Sequence, residues 1–314
     1  MIINRRFLSA SIVIFGVSMP AARISSQVKK PELKHDVTVT AVNLAVTVQD
    51  RAGRYVGDLA RDDFMIFEND EKKEITYFQH AFDAPMSLTI LLDVSGSMAL
   101  QDRLQEGRQA LRFLAGELLR HRDEISLLLF ADGDVEVAAA FSADRTPFFE
   151  ALAGAEAYGR TALNDAVAVS PEFADRGRND KRAILLLTDG IENDSLISVD
   201  RALDIARRVD IPIFTIGYKI PLSEQVLRKY KRARDLTGTG IVETLSRFSE
   251  ATGGRAFFPT TAEELRSDLG NIHRELGHQY ILGYTTVKDS QDEFRKITVV
   301  TSSKRHLVRT RRGY

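Results

Sequence analysis

The sequence predicts an α/β protein in which a doubly wound, mostly parallel sheet is inserted in a small antiparallel β-sandwich. Three observations carry this reading. Residues 88–92 and 184–188 are apolar or β-branched without alternation, the pattern of strands buried on both faces of a parallel sheet. Helical patterns alternate with such strands through the interior of the chain, as a doubly wound fold requires. Short strands at hairpin spacing are confined to two stretches, 36–83 and 278–314, and neither set alone can close a sandwich.

The elements follow in chain order. Arg5 and Arg6, a mostly apolar run over residues 7–19 and the small residues after Pro20 form the pattern of a secretory signal peptide spanning 1–22. The run is too short to span a bilayer comfortably, so no stable membrane span is expected after cleavage, an uncleaved anchor being the alternative. Residues 23–35 read as a polar linker. Strands are expected at 37–48, 64–67 and 75–78, then at 279–286, 296–300 and 307–309, together about seven, the usual number for a small sandwich. Between them, residues 84–277 carry the α/β part. Its expected helices cover 103–119, 162–173 with Pro171 ending or kinking it, a segment with Ala202, Ile205, Ala206 and Val209 on one face, one stopped by Gly253-Gly254, and one opened by the capping box at Thr261 and Glu264. Strands are expected at 125–130, at 135–140 as an antiparallel edge, at 213–217 and at 256–258.

Chemistry concentrates at strand ends. Where the run 88–92 stops, Asp93, Ser95 and Ser97 follow at every second position, with Gly96 allowing a tight turn. In an open α/β sheet, ligands bind at the carboxyl ends of strands beside a topological switch point. One carboxylate and two hydroxyls are hard ligands, suited to Mg²⁺, Mn²⁺ or Ca²⁺ rather than zinc or copper. More oxygens are available from Thr161, in a Gly-x-Thr loop entering a helix, and from Asp189, which ends the run 184–188.

Asp-x-Ser-x-Ser, Gly-x-Thr and Thr-Asp-Gly in this order resemble the von Willebrand factor type A domain and its metal-ion-dependent adhesion site. The resemblance covers residues 84–277. It implies that Ser95, Ser97 and Thr161 contact a divalent cation directly, Mg²⁺ above all, while Asp93 and Asp189 hold it directly or through water. It further implies a binding module whose partner protein supplies a Glu or Asp to the ion, and a last helix, 261–277, that can act as a lever. With Asp-Phe-x-x-Phe-Glu at 63–68 and Arg-Arg-Gly-Tyr at 311–314, the whole arrangement looks like the VWFA-related domain proteins exported by bacteria, which places the chain in the periplasm or outside the cell.

The remaining features narrow the function. A formal net charge of −1 over 314 residues gives no bulk attraction to nucleic acid or membrane. The absence of cysteine excludes disulfides, thiolate metal sites, cysteine nucleophiles and a lipoprotein anchor. His273 and His278 lack the i, i+4 spacing of a zinc helix. No Gly-x-Ser-x-Gly elbow accompanies the serines, and Gly238-x-Gly240 lacks the third glycine of a dinucleotide loop. Residues 228–234 are rich in Lys and Arg, as a solvated helix face or an electropositive rim. Three functional readings follow: an exported, metal-dependent protein-binding module; a structural or assembly component of the cell envelope in which an ion only stiffens loops; and a metal-dependent hydrolase, the least supported. Not being an enzyme is the expectation.

Overall fold

The computed structural model describes residues 38–82, 84–220, 240–288 and 294–314. The expected signal peptide, the linker and the basic run 228–234 lie outside them.

The chain opens with β1 (Thr38–Gln49), β2 (Phe64–Glu68), β3 (Glu71–Lys73) and β4 (Tyr77–His80). The strand expected at 75–78 is thus displaced by two residues. Ile75 is instead buried in the core shared by the two sheets, and the turn at Asn69 and Asp70, both at positive φ, creates the β2–β3 hairpin that alternation alone did not reveal. From the other end come β11 (Gln279–Lys288), β12 (Ile297–Thr301) and β13 (Leu307–Arg309). These seven strands form a four-stranded sheet, β13-β1-β11-β4, and a three-stranded sheet, β12-β2-β3. Val42, Leu44, Val46 and Val48 of β1 meet Phe64 and Ile66 of β2 and Tyr280, Leu282 and Tyr284 of β11 in one core. The period-2 alternation of β1 places these three valines and Leu44 on one face, and their burial joins the two sheets.

Between these strand sets lie β5 (Met86–Asp93), β6 (Glu124–Ala131), β7 (Asp134–Ser142), β8 (Lys181–Thr188), β9 (Ile213–Gly217) and β10 (Ala256–Phe257). Their order is β10-β9-β8-β5-β6-β7. β5 pairs in parallel with β6 on one side and β8 on the other, while β7 closes the edge antiparallel to β6. All eight residues of β5 are buried. Leu88, Ile90 and Leu92 face one hydrophobic layer and Leu91 the other, which is why the strand reads as continuously apolar. Removing a side chain such as Leu91 would cost about 2–5 kcal/mol.

The first layer is built by α1 (Arg103–Phe113), α2 (Thr146–Gly154) and α6 (Ala262–Leu276). The second is built by α3 (Leu163–Ala174), α4 (Val199–Ala206) and α5 (Gly240–Thr252). Four expectations need correction. The helix expected over 103–119 ends as α-helix at Phe113 and widens into a π-turn over Leu114–Leu118. α2 was not foreseen, although Pro147 near its start and Phe148 and Leu152 on its buried side are its signals. α4 stops at Ala206, leaving Val209 beyond it. Pro171 neither ends nor visibly breaks α3, which continues to Ala174. The carbonyl that Pro171 cannot bond belongs to Val167, and Ser170 Oγ donates to it at 3.1 Å. Thr261 caps α6 as expected, accepting from Glu264 N–H. The Glu264 carboxylate accepts from the N–H and hydroxyl of Thr260.

Candidate metal centre at the sheet switch point

The chain leaves β5 for β6 on one side and returns to β8 on the other, so a crevice opens at the carboxyl ends of β5 and β8. Asp93 is the last residue of β5 and fully buried. Its Oδ1 accepts the Ser95 N–H at 2.8 Å, which bends the chain back immediately after the strand, and its Oδ2 accepts the Thr188 hydroxyl at 2.5 Å. Burial pushes the Asp93 carboxyl up to about 6 against the pull of these hydrogen bonds, and the neighbouring Asp189 adds to the rise. Ser95 and Ser97 lie with their hydroxyl oxygens 3.2 Å apart.

The Gly-x-Thr loop is fastened to the same turn. Gly96 N–H donates to Gly159 O at 3.0 Å and Tyr158 N–H to Val94 O at 2.8 Å. A Cβ on Gly159, at φ +65°, would collide with the Asp132 carboxylate, so glycine is needed where this loop crosses β6's end. Thr161 is buried, with its N–H on Asn193 Oδ1 at 2.9 Å and its carbonyl accepting from Asn193 and Asp194. Beyond it, Glu192 and Ser195 accept from Asn164 N–H at the start of α3. The loop after β8 is therefore stitched to the loop carrying Thr161. Asp189 itself is fully buried, with Oδ1 accepting Ile191 N–H at 3.1 Å.

Asp93, Ser95 and Ser97 are thus one hydrogen-bonded group, Asp189 follows the residue that bonds Asp93, and Thr161 sits in the loop clasped between both. Among the described residues no cluster of three or more histidines and carboxylates forms a metal site. The donor set expected here is of another kind, two carboxylates and three hydroxyls, all hard oxygens. It fits a small divalent cation that keeps part of its water.

Two participants escaped the sequence reading. Thr188 belongs to the Thr-Asp-Gly motif but was given no role of its own, yet its hydroxyl holds Asp93. Arg103 was read only as the start of a helix, yet it is buried against the crevice, with Nη1 3.3 Å from Asp189 Oδ2 and 2.9 Å from the Ser97 carbonyl. A cation in the first turn of a helix opposes the helix dipole, and that was the available signal. His273 and His278 take no part. The His278 ring stacks on Tyr55 with centroids 4.9 Å apart.

Residues 88–192 match the family model of the von Willebrand factor type A domain. A domain of this family is therefore present in the chain, and the six-stranded sheet with its helical layers is its fold. The von Willebrand factor type A structure from Catenulispora acidiphila is similar, with a TM-score of 0.51 at 12% identity, covering 85% of this chain and 71% of that one. Proximal thread matrix protein 1 from the mussel byssus has a TM-score of 0.50 at 15% identity, covering 68% of this chain and 51% of that one. A Borreliella burgdorferi protein described as uncharacterized is 22% identical over 231 residues, 70% of this chain and 63% of its own length. The chain thus spans somewhat less than two thirds of that relative.

Proposed function

We propose that this chain is an exported protein-binding module of the adhesion type, which holds a divalent cation at Asp93, Ser95, Ser97, Thr161 and Asp189 and captures through it an acidic residue of a partner protein. The observation that supports the reading is that Asp93, Ser95 and Ser97 form one hydrogen-bonded group at the end of β5, tied through Gly96 to the loop that carries Thr161 and through Thr188 to the strand end before Asp189, within a von Willebrand factor type A domain. A bound Mg²⁺ would supply an exchangeable coordination position for an incoming carboxylate. This chain's residues do the rest. The Thr188 hydroxyl and the Ser95 N–H fix the Asp93 carboxylate, and the Gly159 carbonyl fixes the turn between the two serines.

The rim favours a protein partner over a small molecule. Leu100, Tyr158 and Leu196 stand exposed on the three loops that carry the hydroxyls and carboxylates, Leu196 at 94%. Apolar side chains in such positions suit the dry centre of a protein interface. Export rests on the signal-peptide pattern of residues 1–22. Among the described residues no helix is long and apolar enough to cross a membrane.

The test is calorimetric titration of the full chain with Mg²⁺ beside Asp93→Ala and Thr161→Ala, then capture of exported proteins with Mg²⁺ or with chelator. The expected outcome is binding by the wild type, its loss in both variants, and a partner retained only with Mg²⁺. A partner retained regardless of chelator would transfer the protein to the assembly-component reading.

A further inference from the structure

Arg103 carries a consequence beyond its geometry, one that rests on the metal-binding reading above. Its side chain is 5% exposed and uses its donors on three separate loops: Nη1 on the Ser97 carbonyl and Asp189 Oδ2, Nε and Nη2 on the Lys219 carbonyl at 3.2 and 2.9 Å. Its position is not chosen for helix stability. It is the first residue of α1, where a cation is unfavourable. The two residues before it, Gln101 and Asp102, and its acceptor Lys219 all have positive φ, at 54°, 58° and 46°, conformations that cost energy for residues with a side chain. Several unfavourable local choices converge on delivering one guanidinium to one buried carboxylate. Glu106 and Lys219, two charged groups beside it, neutralise each other at 2.5 Å.

We infer that Arg103 is a charge-setting residue of the metal centre: by offsetting Asp189 it weakens the hold on the cation and leaves the loaded site with one net positive charge for an anionic ligand. The balance is simple. Asp93 and Asp189 supply two negative charges and Arg103 one positive charge, so a divalent ion brings the cluster to plus one, and an incoming carboxylate closes it to zero. Without Arg103 the loaded cluster is already neutral, and the same carboxylate would leave an uncompensated negative charge in a buried crevice, which is unfavourable. Arg103 therefore trades cation affinity for selectivity toward an acidic ligand.

The experiment measures two affinities on the full chain by calorimetry: Mg²⁺ for the free protein, and acetate for the Mg²⁺-loaded protein. The variants are Arg103→Gln, which removes the charge, and Arg103→Lys, which keeps the charge but loses the fork. Neighbouring charges shift ionic equilibria by roughly one to three orders of magnitude, so Arg103→Gln should bind Mg²⁺ about tenfold or more tightly and acetate about tenfold more weakly. Arg103→Lys should stay near the wild type in both. If Arg103 were only a brace between loops, both variants would lose Mg²⁺ affinity together, and that result overturns the inference while leaving the metal site intact. Absence of Mg²⁺ binding in the wild type and in Arg103→Gln overturns it together with the metal-binding reading. Binding that appears only in Arg103→Gln also overturns it, since the wild-type site would then carry no cation to present to an anionic ligand.

Discussion

The hydroxyl of Thr188 stands between a strand and a turn, donating to Asp93 Oδ2 at 2.5 Å while accepting Gly190 N–H at 2.9 Å. A hydrogen bond to a buried carboxylate is worth about 1.5–3 kcal/mol, and valine has nearly the shape of threonine without the donor. Thr188→Val should therefore destabilise the protein by about 2 kcal/mol in urea unfolding, whereas Thr188→Ser should retain most of the stability. Equal stability of Thr188→Val and wild type would show that the bond holds nothing. The contrast between these residues and Arg103 explains what single-sequence reading reaches. Asp93, Ser95, Ser97 and Asp189 stand out in the sequence as candidates because polar groups abruptly end buried strands. Arg103 does not, since its acceptors lie 6, 86 and 116 residues away in sequence, and only the fold brings them to its side chain.

At the scale of elements, α6 joins the two architectures. It packs Leu265, Leu269, Ile272 and Leu276 into the first layer of the six-stranded sheet, and its last turn carries Glu275, fully buried and ion-paired with Arg309 of β13. Two further ties connect the same regions: Arg311 pairs with Asp210, and Asn43 N–H donates to Asp210 Oδ2 at 2.9 Å. The helix was legible because its apolar stripe repeats at helical spacing behind a capped start. Its fastening was not, because a glutamate in a last turn reads as an ordinary solvated charge, indeed one that disagrees with the helix dipole. Removing one partner of a buried pair strands the other, at a cost of about 3–5 kcal/mol. The Arg309 side chain is partly exposed and can regain water, which places Glu275→Gln near the lower end, about 3 kcal/mol. Differential calorimetry of Glu275→Gln beside Arg309→Met and the double variant checks this. The double variant should cost less than the sum of the two single changes, and strict additivity would mean that the two side chains do not depend on each other.

Across the whole molecule, the sandwich is assembled from the two ends of the described chain, and one carboxylate gathers both. Glu68 of β2 accepts hydrogen bonds from Tyr284 at 3.1 Å, Thr286 at 2.6 Å and Tyr314 at 2.7 Å, with Lys73 and Arg295 within 3.5 and 3.7 Å. Seven strands were countable from alternating patterns. The alternation of β2 puts Glu68 on the same buried face as Phe64 and Ile66, but what satisfies a carboxylate there was not legible, because its hydroxyl partners lie more than 200 residues away. Burial by itself would raise the Glu68 carboxyl, but the three hydroxyl donors, aided by Arg295, outweigh it and hold the group below the ordinary glutamate value of 4.5. The sign of the pH dependence follows. A carboxylate whose folded value is depressed contributes stability that is fully present above its unfolded value and is lost as the pH falls through the folded one. Glu68 should therefore stabilise the protein at pH 7 and cease to do so in acid. Urea unfolding of wild type and Glu68→Gln should show a gap of about 2 kcal/mol at neutral pH, the range for hydrogen bonds to a charged group, narrowing once the pH drops below 4.5. A gap independent of pH would assign the loss to shape rather than charge. A gap that widened in acid would mean that the glutamate is held protonated in the fold, contrary to the direction set by its three donors.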